Sequence, residues 1–201
     1  MLVIAAMAIA SAALADTGGT CPKAVTATYR NVEYGYSFEV PAGLNGRWQS
    51  PCNADNGGEC ICIGNHGLSM DLGNGGVLGV FADYAAELDD PTLGDVLYKE
   101  LERITSKDFA PAVHIKALDP FVLKGHRGFR VYAVSAANDL TGSPDPEIAR
   151  VDYIFLGASG RCVIYMRSAR VDFTSNKLFL TKLLKSWEWA SNNRIERRRA
   201  P

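Results

Sequence analysis

The chain has 201 residues, 47% of them hydrophobic and 21% charged, which excludes a disordered or collagen-like polymer and fits one globular domain. Lys and Arg number 21 against 22 Asp and Glu, a formal net charge of -1. Nucleic-acid binding draws most of its affinity from basic residues that release counterions, so it is excluded as the main task.

Residues 2–15 carry no charge and end in Ala13-Leu14-Ala15. Small residues three and one before a cut site fit the narrow pocket of a signal peptidase, which predicts a secretory leader over 1–15 cut before Asp16. The basic residue that usually follows Met1 is missing. The run is shorter than the roughly 20 apolar residues a spanning helix needs, and no later run approaches that length. The leader-free chain is therefore expected to have no transmembrane span and to be periplasmic or secreted. A single domain is expected over 16–190, followed by a basic tail over 191–201.

After a polar lead-in over 16–31, Tyr34, Tyr36, Phe38 and Val40 alternate with Gly35, Ser37 and Glu39, the period of a strand with one apolar face. Residues 47–50 read as a short strand. Arg47 and Trp48 lie beside the cysteine-rich stretch that follows, and Trp48 is the best aromatic candidate for an exposed anchor. Most other aromatics, Trp187 and Trp189 included, are expected in the core.

All five cysteines fall after the leader: Cys21, Cys52, Cys60, Cys62 and Cys162. Export permits disulfides, and five thiols form at most two. The Gly- and Asn-rich stretch 53–59 folds back easily, which favours a bridge from Cys52 to Cys60 or to Cys62. If Ile61 lies in a strand, Cys60 and Cys62 point to one face and do not bond to each other. Cys21 is the next bridge partner, tying down the new N-terminus. Cys162 sits in an apolar strand and reads as a buried, inert thiol. A competing metal reading takes Cys60, Cys62 and His66 as Cys-x-Cys-x3-His with Cys52 as a fourth ligand, soft donors suited to zinc or copper(I). That spacing matches no common zinc module, and an oxidising compartment competes for the thiols, so no metal and no cofactor is expected.

Residues 61–72 and 77–83 flank Gly73-Asn74-Gly75-Gly76 and predict a hairpin. The period then changes. Leu93, Val96, Leu97, Leu101 and Ile104 recur at three and four residues, and Thr92 with Asp95 forms a capping-box pattern, so a helix is predicted over 93–106. Strand signals return at 113–118, 121–124 and 129–135. A Pro- and Gly-rich loop over 137–147 carries Asp145, a candidate surface residue. The strands 148–156 and 161–168 form the strongest hairpin. A last helix is predicted over 174–186, closing into a short strand over 187–189. The whole is an α+β fold: an antiparallel sheet flanked by two main helices in a single domain.

None of the three histidines has a convincing catalytic setting. His66 lies in a Gly-flanked turn, His114 alternates within a strand, and His126 sits in a turn beside Lys124 and Arg127. Gly157-Ala158-Ser159-Gly160 is one residue short of a nucleophile elbow and is followed by a strand rather than a helix.

In order and spacing, YGYSFEVPAG, the central helix, the strand GHRGFRVYAV, the hairpin YIFLGASGRCVIYM and the final helix running into SWEW resemble the PsbP/Mog1-like superfamily over about residues 32–189. The cysteine-rich insertion at 52–62 stands outside that pattern. The resemblance implies the fold and a bias toward binding, and it transfers no functional residue. The expected function is that of an exported, non-enzymatic accessory protein of a bacterial cell envelope. It would recognise a protein partner through its loops, with Arg47, Trp48, His66 and Asp145 as surface candidates. The alternatives are a periplasmic immunity or enzyme-inhibitor protein, and a metal-binding or hydrolytic protein centred on Cys60, Cys62 and His66. The tail from Arg194 to Arg199 could also touch an acidic surface.

Overall fold

A computed structural model describes residues 27–49, 52–53, 61–62, 67–83, 92–106, 113–135, 147–157 and 160–190, with the backbone alone at 47–49, 52–53 and 61–62. The predicted leader over 1–15, Cys21, Cys60, His66, Asp145 and residues 191–201 lie outside them. In chain order the elements are β1 (Thr28–Asn31), β2 (Tyr36–Glu39), β3 (Gly46–Gln49), β4 (Cys52–Asn53), β5 (Ile61–Cys62), β6 (Gly67–Gly73) and β7 (Gly76–Asp83). They continue with α1 (Leu93–Thr105), β8 (Val113–Leu123), β9 (His126–Ser135), β10 (Ile148–Gly157), β11 (Gly160–Ala169), α2 (Arg170–Ser186) and β12 (Glu188–Trp189).

Seven strands form the main sheet in the order β3-β6-β7-β11-β10-β9-β8, every neighbouring pair antiparallel. A second sheet has the order β1-β2-β12, and β4 pairs with β5 alone. The predicted α+β architecture is thus the one the chain adopts, with its main antiparallel sheet flanked by two helices and smaller sheets beside it.

The period of two sorts the sheet into two faces. One face presents Leu68, Met70, Leu78, Val80, Phe155, Ile164 and Met166, all buried with Leu180, Leu183 and Trp187 of the α2 region. The small sheet closes this core. Tyr36 and Phe38 stack on Trp187 at ring separations of 4.8 and 5.6 Å. Asn31, buried among them, accepts the Tyr34 amide at 3.0 Å and donates to the hydroxyls of Tyr29 and Tyr36. The other face carries Val131, Ile154 and Val163 against Val96 of α1.

α1 starts where its sequence says it should. Thr92 accepts from the Asp95 amide while the Asp95 carboxylate accepts from the Thr92 amide, a closed capping box. α2 begins at Arg170, four residues before its predicted start, because β11 runs straight into it. Arg170 pairs with Glu147, and Asp172 sits in the first turn, where the helix dipole favours negative charge.

Other differences have equally local causes. The polar lead-in contains β1, whose Tyr29 and Asn31 are buried. The two strands expected over 113–124 are one, β8, which absorbs a register shift between Ile115 and Ala117 and carries Pro120. Proline is tolerated there because β8 is the edge of the sheet. The span predicted as one strand over 61–72 contains two, β5, which pairs with β4, and β6, which lies inside the edge strand β3.

Candidate interaction surface

Strand register decides which loops share an end of the molecule. Gln49 faces Gly67, Gly67 faces Phe81, Asp83 faces Arg161, Gly157 faces Gly160, Gly128 faces Phe155, and Leu123 faces His126. The strand ends that lead into segments 50–66 and 84–91, and the turn at 124–125, therefore lie at one end of the sheet, here called the cysteine end. At the other end Ser135 faces both Val113 and Ile148, so segment 136–146 joins β9 to β10 there. That is the proline end. Strands of ten residues separate the two by roughly 30 Å.

The sequence candidates divide accordingly. Arg47 and Trp48 are on β3, an edge strand that leads into the cysteine end. Trp48 holds the register position opposite Leu68, which pairs in turn with Val80, on the core face. Arg47 is opposite Ser69, in a row that continues through Gly79, Tyr165 and Asp152 on the α1 face. Cys52 is opposite Cys62. Cys60 and His66 belong to segment 50–66, and Asp145 to the segment at the far end; none of the three is among the described residues.

Among the described residues no group of three or more His, Cys, Asp and Glu is placed to hold a metal. The Cys60, Cys62 and His66 set falls mostly outside them. Cys162 is buried, and burial pushes its thiol well up from the ordinary value, with the charge of Asp83 adding to the effect. It is inert, as its apolar strand predicted.

The least anticipated feature is an ionic cluster beneath α1. Glu100, fully buried, accepts from Arg103 on its own helix and from Arg161 of β11 at 3.4 Å, and it lies 3.7 Å from Arg150 of β10. Arg150 also donates to both oxygens of buried Asp152, at 2.7 and 2.6 Å. Arg161 donates to Asp83 at 3.0 and 2.5 Å and lies over the Phe81 ring, while Arg150 lies over Tyr165. Burial raises the Asp152 carboxyl above its ordinary value, an effect that the charge and hydrogen bonds of Arg150 only partly offset. Three guanidiniums meet three carboxylates, each engaged by at least one of them. The cluster holds α1 in place and offers no free acid or base. Its signal was present in the sequence: Glu100 falls four residues from both Val96 and Ile104, on the apolar stripe of α1. A carboxylate there requires a cation from the sheet.

His126 also departs from expectation. Its imidazole packs 4.5 Å from the Trp189 ring, whose Nε1 donates to the Leu123 carbonyl at 3.0 Å. The expected solvated turn residue is instead half-buried against the closing strand. His114 is exposed on β8. The indoles of Trp187 and Trp189 meet at 5.1 Å.

No protein-family model matches the chain, and no curated protein matches it in sequence. Solved structures do match in shape. The solution structure of cyanobacterial PsbP from Synechocystis superposes with a TM-score of 0.55 at 13% identity, covering 88% of this chain and 98% of that one. The Ran-binding protein Mog1p of Saccharomyces cerevisiae gives 0.49 at 12% identity, covering 85% and 98%. A protein of unknown function from Pseudomonas aeruginosa, described as a putative regulator, gives 0.44 at 9% identity, covering 80% and 93%. The fold expected from the resemblance is the fold the chain shares with PsbP. No helix among the described residues is long and apolar enough to cross a membrane.

Proposed function

We propose that this chain is an exported, non-enzymatic binding protein of a bacterial cell envelope that docks a protein partner on its cysteine end. The uncharged leader ending in Ala13-Leu14-Ala15 supports export. The observation that carries the choice of surface is the strand register, which brings the strand ends flanking segments 50–66 and 84–91, and the turn at 124–125, to one end of a seven-stranded sheet. Loops held by a rigid scaffold are where recognition concentrates. The ionic cluster fixes α1, and so fixes where segment 84–91 rejoins the fold at Thr92.

Affinity capture from an envelope extract tests the proposal. The baits are the leader-free chain, a variant with 53–59 replaced by Gly and Ser, and a variant with 137–146 replaced in the same way. A partner retained by the third bait and lost by the second supports the cysteine end. Retention by both, or loss only on replacing 137–146, removes it. A captured hydrolase whose activity the chain suppresses would place the protein among inhibitors.

A further inference from the structure

Two strands of two residues each make up the smallest sheet among the described residues. β4 and β5 run antiparallel, with Cys52 opposite Cys62 and Asn53 opposite Ile61. Two-stranded ladders are marginal in water even when several residues longer, so one this short needs support from outside its own hydrogen bonds. Directly opposed residues of an antiparallel pair have Cα atoms about 4.5–5.5 Å apart. Disulfides form across Cα separations of about 4.4–6.8 Å. Sequence alone left Cys60 and Cys62 as equal partners for Cys52, and the register sets Cys62 directly opposite it.

We propose that Cys52 and Cys62 are joined by a disulfide that closes 53–61 into a loop on the cysteine end. The inference rests on the exported reading, which supplies the oxidising compartment. The oxidant is a protein thiol–disulfide oxidoreductase in its disulfide form. The thiolate of Cys52 or Cys62 attacks one sulfur of that disulfide and releases the other as a thiol. The second cysteine then attacks its partner's sulfur in the mixed disulfide and displaces the donor. The two cysteines give up two protons and two electrons, and the donor leaves as a dithiol. Cys162 takes no part, since it is buried in β11.

The test is thiol mapping of the leader-free chain. Free thiols are alkylated under denaturing conditions, and the protein is digested without reductant at glutamate, cutting after Glu59 and leaving Cys60 and Cys62 on one peptide. Fragmentation of the linked pair is expected to place the bond on Cys62. The Cys60→Ser variant is expected to keep the linked pair and Cys62→Ser to lose it. The reverse pattern, or Cys52 and Cys62 both alkylated, overturns the inference. Repeating the mapping on reduced chain refolded in a glutathione redox buffer separates this outcome from a failure of export, because no compartment is involved. A chain that carries the bridge and captures no partner contradicts the binding proposal alone.

Discussion

Glu100 of α1 accepts a hydrogen bond from Arg161 of β11 at 3.4 Å, across 61 positions of sequence and beneath the helix rather than at its rim. Arg103 and Arg150 complete the ring of cations around the same carboxylate. Removing one member of a buried ionic cluster strands the others, at a cost of about 3–5 kcal/mol. Glu100→Gln is therefore expected to lower the unfolding free energy by about that much in urea titration. Asp119→Asn breaks an exposed pair with Arg130 and is expected to cost about 1 kcal/mol or less. Equal effects from the two would show that the cluster under α1 is not what holds the helix.

Asp152 gives a pH signature. Burial sets its folded carboxyl above the ordinary value of 3.8, Arg150 opposing with the smaller effect. A carboxyl raised on folding binds its proton more tightly in the native state. Its contribution to stability is therefore fully present below about pH 3.8 and is lost as pH rises through the folded value. The stability of the wild type minus that of Asp152→Asn is expected to fall as pH rises through this window. Urea midpoints of both proteins at a series of pH values measure it, and parallel curves would contradict the assignment.

How much of the molecule was legible depends on how local its causes are. The capping box at Thr92 and Asp95, the β10–β11 hairpin and the meeting of Trp187 with Trp189 all follow from residues within one element or its neighbour. The ionic cluster was not legible, although Glu100 stood on an apolar stripe, because two of its three cations, Arg150 and Arg161, come from strands far away in sequence. The early start of α2 was hidden for the same reason, since Arg170 is engaged by Glu147. At the interaction surface, Arg47 and Trp48 could be picked as neighbours of the cysteine stretch. That they occupy opposite faces of β3, and that the segment of Asp145 lies at the far end, required the register of seven strands.

Helix α1 should respond to its cap. Thr92→Ala removes the hydroxyl that accepts from the Asp95 amide and is expected to cost about 1 kcal/mol. Thermal unfolding monitored by circular dichroism reads the shift. A variant as stable as the parent would mean that α1 is held by the sheet alone.

Gly128 lies where β9 passes β10 too closely for any side chain. A Cβ there would stand 2.4 Å from the Ile154 carbonyl oxygen and 2.5 Å from the Phe155 ring. The carbonyl is backbone and cannot swing aside, so Gly128→Ala is expected to lower stability by about 1–3 kcal/mol in urea titration. An unchanged midpoint would mean that the β9–β10 register differs from the one described.

The central claim, that one end of the sheet meets the partner, is tested most directly by photo-crosslinking in cells. A photoreactive amino acid is placed at Asp55 in one strain and at Thr141 in another, and adducts are read after irradiation. A discrete protein adduct from position 55 and none from position 141 is expected. An adduct from position 141 alone, or identical adducts from both positions, would contradict it.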